Sequence, residues 1–147
     1  MIGKPLSENE IYELLVNEKI CWLSSVSPSG QPHLIPINFG FFNGDIHIIF
    51  VSNESKSVRN IRNNPKVCFG INVGEEQGAI KCVLIRGRAE LTDDIEALKQ
   101  AHLKILPKYL NSKKKEEDFL QKLVATGAIT KRILVVIKPK KIFSWKL

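Results

Sequence analysis

Short apolar runs separated by turn-forming residues dominate the first third of the chain. A Ser-x-x-Glu capping box at Ser7 predicts a helix of about ten residues with an apolar face. Three runs of strand-forming residues follow, at Ile20–Val26, 33–42 and 45–52. A Ser-Pro-Ser-Gly turn separates the first two, and an Asn-Gly pair, typical of two-residue hairpins, separates the last two. The pattern predicts a helix followed by a continuous three-stranded antiparallel meander.

The middle of the chain predicts a short helix between strands. The predicted helix covers residues 55–63 and ends before Pro65, because proline cannot continue a helix. Residues 66–73 and 79–91 predict the fourth and fifth strands, separated by the polar loop 74–78.

The predicted order closes with two helices and two strands. Caps and helix breakers place the helices from Thr92 to about residue 106 and over residues 116–125. The strands cover residues 132–137 and 142–145, with a proline between them.

Strands joined by short turns, with few helices, favour a barrel because closure removes exposed sheet edges. We therefore predict one domain over residues 1–147. Its class is mainly β (α+β), a six- or seven-stranded antiparallel barrel with short flanking helices. Gly87 in the fifth strand indicates a bulge or a close backbone approach. For Trp22 and Trp145, packing in the core is favoured over stacking on a ligand ring.

The bulk composition is that of a globular protein. The 147 residues are 44% hydrophobic and 25% charged, and no apolar run approaches the roughly 20 residues that span a bilayer. The N-terminal residues lack the apolar stretch of a secretory signal, so we expect a cytoplasmic protein with no membrane partner. Three cysteines and three histidines lack metal-ligand spacing, so no metal site is expected.

The net charge of +7 is partly concentrated in residues 131–147, which contain no acid. A basic surface attracts nucleic acid, anionic lipid or an anionic cofactor, and charge alone does not separate these. Aromatic residues are 7% of the chain and do not interleave with basic ones along a strand face, which argues against nucleic acid.

Residues 51–67 carry the most distinctive local chemistry. They leave a predicted strand, pass through small polar residues and enter a short basic helix. The N–H groups at a helix start have no partners within the helix, and the helix dipole favours anions there. Serine hydroxyl groups, Lys56 and Arg59 can contact such an anion. The segment indicates a phosphorylated ligand; the alternative is a capped helix with a solvated basic face.

Seven segments together, by their order and spacing, resemble one family. They are Cys21-Trp-Leu-Ser-Ser-Val26, the turn 27–33, Ile35-Pro-Ile-Asn-Phe39, residues 45–50, residues 55–65, Arg86-Gly-Arg-Ala-Glu-Leu91 and residues 137–145. On these segments the chain resembles the FMN-binding split-barrel superfamily, the pyridoxamine 5′-phosphate oxidase-like proteins, over most of its length.

The resemblance implies a homodimer with FMN in a groove between two barrels. It implies that Pro36, Ile37 and Asn38 line the edge of the flavin ring. The residues implied to hold the ribityl phosphate are Ser52, Ser55, Lys56, Ser57, Arg59 and Asn60. The partner chain contributes the predicted fifth strand, where the alternation of Arg86 and Arg88 favours solvent or dimer contacts.

Two features depart from the family pattern. The family commonly has a lysine eight residues before the proline that Pro65 matches, where this chain has Ser57. Either Lys56 reaches the phosphate from a slightly shifted helix start, or Arg59 substitutes for the lysine, or phosphate affinity is reduced or lost. The sequence also ends at Leu147 without the arginine- and histidine-bearing tail with which pyridoxamine phosphate oxidases bind their substrate. Vitamin B6 oxidation is therefore not expected.

The implied function is that of an FMN-dependent oxidoreductase acting on a small molecule. A bound flavin carries hydride and electron transfer itself, so no catalytic side chain is singled out. The resemblance leaves open a deazaflavin-dependent reductase, and a non-catalytic protein that binds or stores a flavin or haem. The sequence contains no GxSxG elbow, Walker loop or GxGxxG, which weakens hydrolase, NTPase and Rossmann assignments.

Overall fold

The computed structural model describes residues 3–74 and 78–147, so most of the predicted loop 74–78 lies outside the described residues. Within these ranges the chain forms four α-helices, two short 3₁₀ turns and seven strands. The helices are α1 (Glu8–Asn17), α2 (Lys56–Asn63), α3 (Ile95–Ile105) and α4 (Lys113–Ala125), with 3₁₀ turns at Leu106–Lys108 and Ala128–Lys131. The strands are β1 (Ile20–Val26), β2 (Pro32–Asn38), β3 (Gly40–Phe42), β4 (Asp45–Phe50), β5 (Lys66–Gly74), β6 (Ile80–Thr92) and β7 (Ile133–Lys146).

All seven strands join one antiparallel sheet in the order β2-β1-β5-β6-β7-β4-β3. The two edge strands are consecutive in the chain, since only Phe39 separates β2 from β3. The sheet therefore curls into a half-barrel with the helices around it. The prediction of a mainly β (α+β) antiparallel split barrel with six or seven strands is confirmed.

The prediction of one strand over residues 33–42, within a continuous meander, is wrong. Among the described strands, β2 pairs only with β1 and β3 only with β4, so the chain passes from one sheet edge to the other at Phe39. The Tyr109 hydroxyl group accepts the Phe39 N–H at 2.9 Å, which takes this N–H out of any ladder. At Gly40 an added Cβ would lie 2.6 Å from Ile105 Cγ1, so α3 approaches too closely for a larger residue.

The two closing strands predicted at 132–137 and 142–145 are one strand, β7. β6 pairs with β7 on both sides of Pro139. Because β6 is long enough to pair with both halves, β7 continues as one strand past the proline. The predicted irregularity at Gly87 is confirmed, because the register of the two strands shifts there and Gly87 stands opposite Pro139. Proline is tolerated at a bulge, where no ladder N–H is required.

Side-chain caps define the helix starts. The capping box predicted for α1 is present, with the Ser7 hydroxyl group accepting the Glu10 N–H at 3.1 Å. Helix α4 begins at Lys113 rather than at residue 116, because the Ser112 Oγ accepts the Lys115 N–H at 3.1 Å and caps the helix three residues earlier. Among the described residues, no helix is long and apolar enough to cross a membrane.

The core has two parts. The larger part fills the inside of the barrel and includes the fully buried Leu23, Ile48, Phe69, Ile85 and Val135. The second part lies beneath α3 and α4 and contains Leu98, Ala101, Ile105, Leu123, Ile129 and Leu134. Burial of a leucine, isoleucine, valine or phenylalanine side chain contributes about 1.5–3 kcal/mol, so both clusters hold the helices to the sheet.

Candidate functional site

The segment predicted to bind phosphate forms the start of α2. Ser55 is the helix cap, and its Oγ accepts the Val58 N–H at 3.4 Å. The first turn contains no acidic residue, and the side chains of Lys56 and Arg59 are exposed. The unpaired N–H groups and the dipole of a helix start favour an anion. Lys56 and Arg59 thus present two accessible cations near the end of the helix that attracts negative charge.

Two other predicted residues of this segment face the barrel. Ser57 is 1% exposed and Asn60 is 4% exposed. The Asn60 amide donates a hydrogen bond of 3.1 Å to the Ser25 hydroxyl group on β1, which fixes α2 against the sheet. Ser52 stabilises the preceding turn, since its Oγ accepts the Glu54 N–H at 3.1 Å. The assignment of these side chains to a phosphate stays a prediction.

The three residues predicted at the flavin ring edge lie on the edge strand β2. Pro36 stands opposite Trp22 of β1, and Asn38 stands opposite Ile20. Pro36 and Asn38 are exposed, whereas Ile37 is partly buried and packs against the barrel core. An edge strand tolerates Pro36 because the missing N–H is not needed by a second neighbour. Two of the three predicted ring contacts therefore project from the outer face of the sheet.

The outer face of the sheet carries an apolar row across five strands. Directly opposed residues project on the same face, and the paired row consists of Pro36, Trp22, Gly70, Leu84 and Phe143. Trp22 is 44% exposed, so the expectation that it packs in the core is wrong. Its neighbours Cys21 and Leu23 are 0% exposed, because side chains alternate along β1 and these two point inwards.

A basic groove lies beside this apolar row. It has a volume of about 480 Å³ and is lined by Ser24, Val26, Lys66, Val67, Cys68, Arg86, Gly87, Arg88 and Lys140. Among the described residues, the lining contains four cations and no carboxylate. The Arg86 guanidinium carbon lies 5.0 Å from the centroid of the Phe143 ring, which joins the groove to the apolar row. Burial raises the pKa of the Cys68 thiol, so this side chain adds no negative charge at neutral pH.

The bulge between β6 and β7 brings one of these cations to the groove. Arg86 pairs with Lys141 and Gly87 pairs with Pro139, so Lys140 is the extra residue on β7. A Cβ at Gly87 would lie 2.6 Å from Ile137 Cγ2, and only glycine allows this approach of the two strands.

Sequence reasoning did not identify the groove as a binding site. The alternation of Arg86 and Arg88 predicts that both lie on one strand face, and they do line the groove together. Lys66 and Lys140 come from the neighbouring strands β5 and β7, and no local pattern predicts that they meet the two arginines. Of the predicted site residues, Asn38 lines a second, smaller cavity beneath α3 and α4.

Comparison with known proteins agrees with the observed fold. The family model described as pyridoxamine 5′-phosphate oxidase matches residues 7–146. The conserved hypothetical protein Rv2991 from Mycobacterium tuberculosis is similar, with a TM-score of 0.84 and 23% identity, covering 99% of this chain and 88% of that chain. An FAD-binding protein from Mesorhizobium loti has a TM-score of 0.73 and 19% identity, covering 100% and 99% of the two chains.

An F420 reductase shares the fold more distantly, with a TM-score of 0.63 and 19% identity, covering 88% of this chain and 94% of that chain. No curated protein matches the chain at a significant level. At these identities the likeness to solved structures is one of fold. The family match extends over nearly the whole sequence, and the chain therefore belongs to the pyridoxamine 5′-phosphate oxidase-like superfamily of FMN-binding split barrels.

Proposed function

We propose that this protein binds FMN and uses it for oxidation or reduction of a small molecule. The observation that supports this proposal is the basic groove, which lies beside an exposed apolar row in a chain that belongs to this superfamily. A flavin nucleotide needs an apolar surface for its ring and cations for its phosphate. The groove volume of about 480 Å³ is within the range of small-molecule sites, roughly 300–1,000 Å³.

We further infer a homodimer with the cofactor at its interface. Large apolar side chains are exposed on β1 and β2, namely Ile20 at 50%, Trp22 at 44% and Leu34 at 59%. Contiguous apolar surface of this kind is typical of an interaction site. In the proposed arrangement, β2 and the start of α2 from one protomer face β6 of its partner. The groove cations and the α2 cations then surround one anionic ligand.

The residues of the chain bind and orient the cofactor. Lys56 and Arg59 would contact the phosphate at the start of α2, and Pro36, Ile37 and Asn38 would line the ring edge. The bound flavin supplies the hydride and electron chemistry, so the protein needs no acid–base pair of its own.

Titration with FMN and with riboflavin, which lacks the phosphate, tests this assignment. The double variant Lys56→Ala/Arg59→Ala should weaken FMN binding roughly tenfold or more, equal to about 1.4 kcal/mol. That is about 0.7 kcal/mol for each exposed cation, within the range of exposed ion pairs. Riboflavin affinity should change little. The control variant Lys114→Ala/Lys115→Ala removes the same charge from α4 and should bind FMN as the wild type does.

An FMN dissociation constant that is unchanged in the Lys56→Ala/Arg59→Ala variant contradicts the phosphate assignment. The identity of the cofactor is a separate measurement. Chromatography and the absorption spectrum of the released chromophore separate FMN from FAD, from a deazaflavin and from haem. The deazaflavin is the second candidate because the four groove cations also suit its anionic tail. A protein that takes up none of these chromophores contradicts the proposed function.

A further inference from the structure

A second cavity, of about 220 Å³, lies beneath the helical layer formed by α3 and α4. Its wall is mainly apolar and includes Ile105 and Phe119. Four polar side chains, Asn38, His102, Tyr109 and Arg132, also line it, and none of the described residues in the lining is acidic. The cavity therefore combines an apolar interior with a small number of polar groups, as ligand sites do.

Two nitrogen atoms of this lining are unpaired. His102 Nε2 and Arg132 Nε have no hydrogen-bond partner within residues 3–74 and 78–147. His102 is 4% exposed, so water does not replace the missing partner freely. A buried polar atom without a partner costs about 1–3 kcal/mol, and native proteins retain few of them. The two atoms are left available to a ligand in the cavity.

The charge of the site favours an anion. Burial, with a further contribution from Arg132, lowers the pKa of His102 to about 4, so the imidazole is neutral at pH 7. A neutral imidazole can carry its proton on Nε2 and donate from there. Arg132 stays charged, and in the described part of the chain no carboxylate forms an ion pair with it. Both groups lie against Phe119, whose ring is 5.9 Å from the His102 ring and 5.8 Å from the guanidinium carbon.

The size of the cavity limits the ligand. A volume of about 220 Å³ is below the roughly 300–1,000 Å³ of sites that hold drug-sized ligands, and it is too small for a flavin nucleotide. The apolar wall requires an apolar ligand body, and two N–H donors match the oxygens of a carboxylate, which only accept. A compact aromatic carboxylate of the size of benzoate meets these conditions.

We propose that this cavity binds a small monocarboxylate with an apolar body, held through its carboxylate by Arg132 and His102. The binding site is independent of flavin. Asn38 lines the cavity and is also a predicted contact of the flavin ring edge, which makes the bound monocarboxylate the candidate redox substrate. Only this identification rests on the proposed function; the binding of the monocarboxylate does not.

Calorimetric titration of the full chain without flavin tests the site with two probes, sodium benzoate and benzamide. Benzamide has nearly the same shape without the charge, and it should bind roughly tenfold more weakly than benzoate. Arg132→Met should weaken benzoate binding roughly tenfold, and Lys131→Met, which removes the neighbouring exposed cation, should leave it unchanged. The comparison of the two probes requires no variant, so it holds even where Arg132→Met folds poorly.

Absence of benzoate binding, equal affinity for benzoate and benzamide, or unchanged benzoate affinity in a folded Arg132→Met variant overturns the proposal. The outcome is distinguishable from that of the proposed function. A protein that binds benzoate and takes up no flavin supports this site and contradicts the redox role. A protein that takes up FMN and fails to bind benzoate supports the proposed flavin function and contradicts the monocarboxylate site.

Discussion

One hydroxyl group stabilises the crossing at Phe39, where the chain passes between the two edges of the half-barrel. The Tyr109 Oη accepts the Phe39 N–H at 2.9 Å and donates to the carbonyl oxygen of Lys19 at 2.5 Å. Phe39 is 0% exposed, so its N–H has no access to water. Tyr109→Phe keeps the ring but leaves this buried N–H unpaired, which costs about 1–3 kcal/mol. We expect the free energy of unfolding to fall by about 2 kcal/mol.

Urea denaturation at one fixed protein concentration measures this change, since the midpoint of the proposed homodimer would depend on concentration. The midpoint should fall while the slope of the free energy against urea stays the same. The matched control is Tyr12→Phe, because Tyr12 is 58% exposed and should change the stability by less than about 0.5 kcal/mol. A Tyr109→Phe protein as stable as the wild type would show that this hydroxyl group does not stabilise the crossing at Phe39.

Two further predictions concern the bulge and the buried histidine. Gly87→Ala places a Cβ 2.6 Å from Ile137 Cγ2 and 2.8 Å from the Lys138 carbonyl oxygen. This crowding should lower the free energy of unfolding, measured by urea denaturation, by about 1–3 kcal/mol. Wild-type stability in this variant would contradict the close approach of the two strands. Burial lowers the pKa of His102 from its ordinary 6.5 to about 4. The unfolded chain therefore binds a proton that the folded chain does not, and stability should fall by about 3 kcal/mol as the pH drops from 6.5 to 4. His102→Gln should flatten this interval of the pH profile, and an unchanged slope would assign it to other groups.

The features of the fold that local chemistry determines are predictable from the sequence. The Asn-Gly turn requires positive φ, and Asn43 and Gly44 adopt φ values of 55° and 73°. The break between β2 and β3 is not predictable in this way. It depends on the hydroxyl group of Tyr109, which is 70 residues away from Phe39 in the chain. The alternating apolar pattern continues across residues 33–42, so local propensity extends the strand where a distant contact ends it.

The candidate site also has features that are predictable from the local sequence and features that depend on distant contacts. The cap at Ser55 and the exposed cations Lys56 and Arg59 follow from local sequence. The burial of Asn60 depends on its hydrogen bond to Ser25, which lies on another strand. The basic groove collects cations from three strands, so its composition follows from the order of strands in the sheet. The helix start that attracts an anion is therefore predictable from the sequence, whereas the groove is predictable only once the order of the strands is known.

In the proposed complex, FMN binds between two protomers, with its ring near Asn38 and its phosphate at the start of α2. A crystal structure of the protein purified with FMN tests this most directly. We expect electron density for the isoalloxazine ring at the interface of a two-fold dimer, with phosphate density within hydrogen-bonding distance of Lys56 or Arg59. A monomer, or a flavin bound away from both Asn38 and α2, would contradict it.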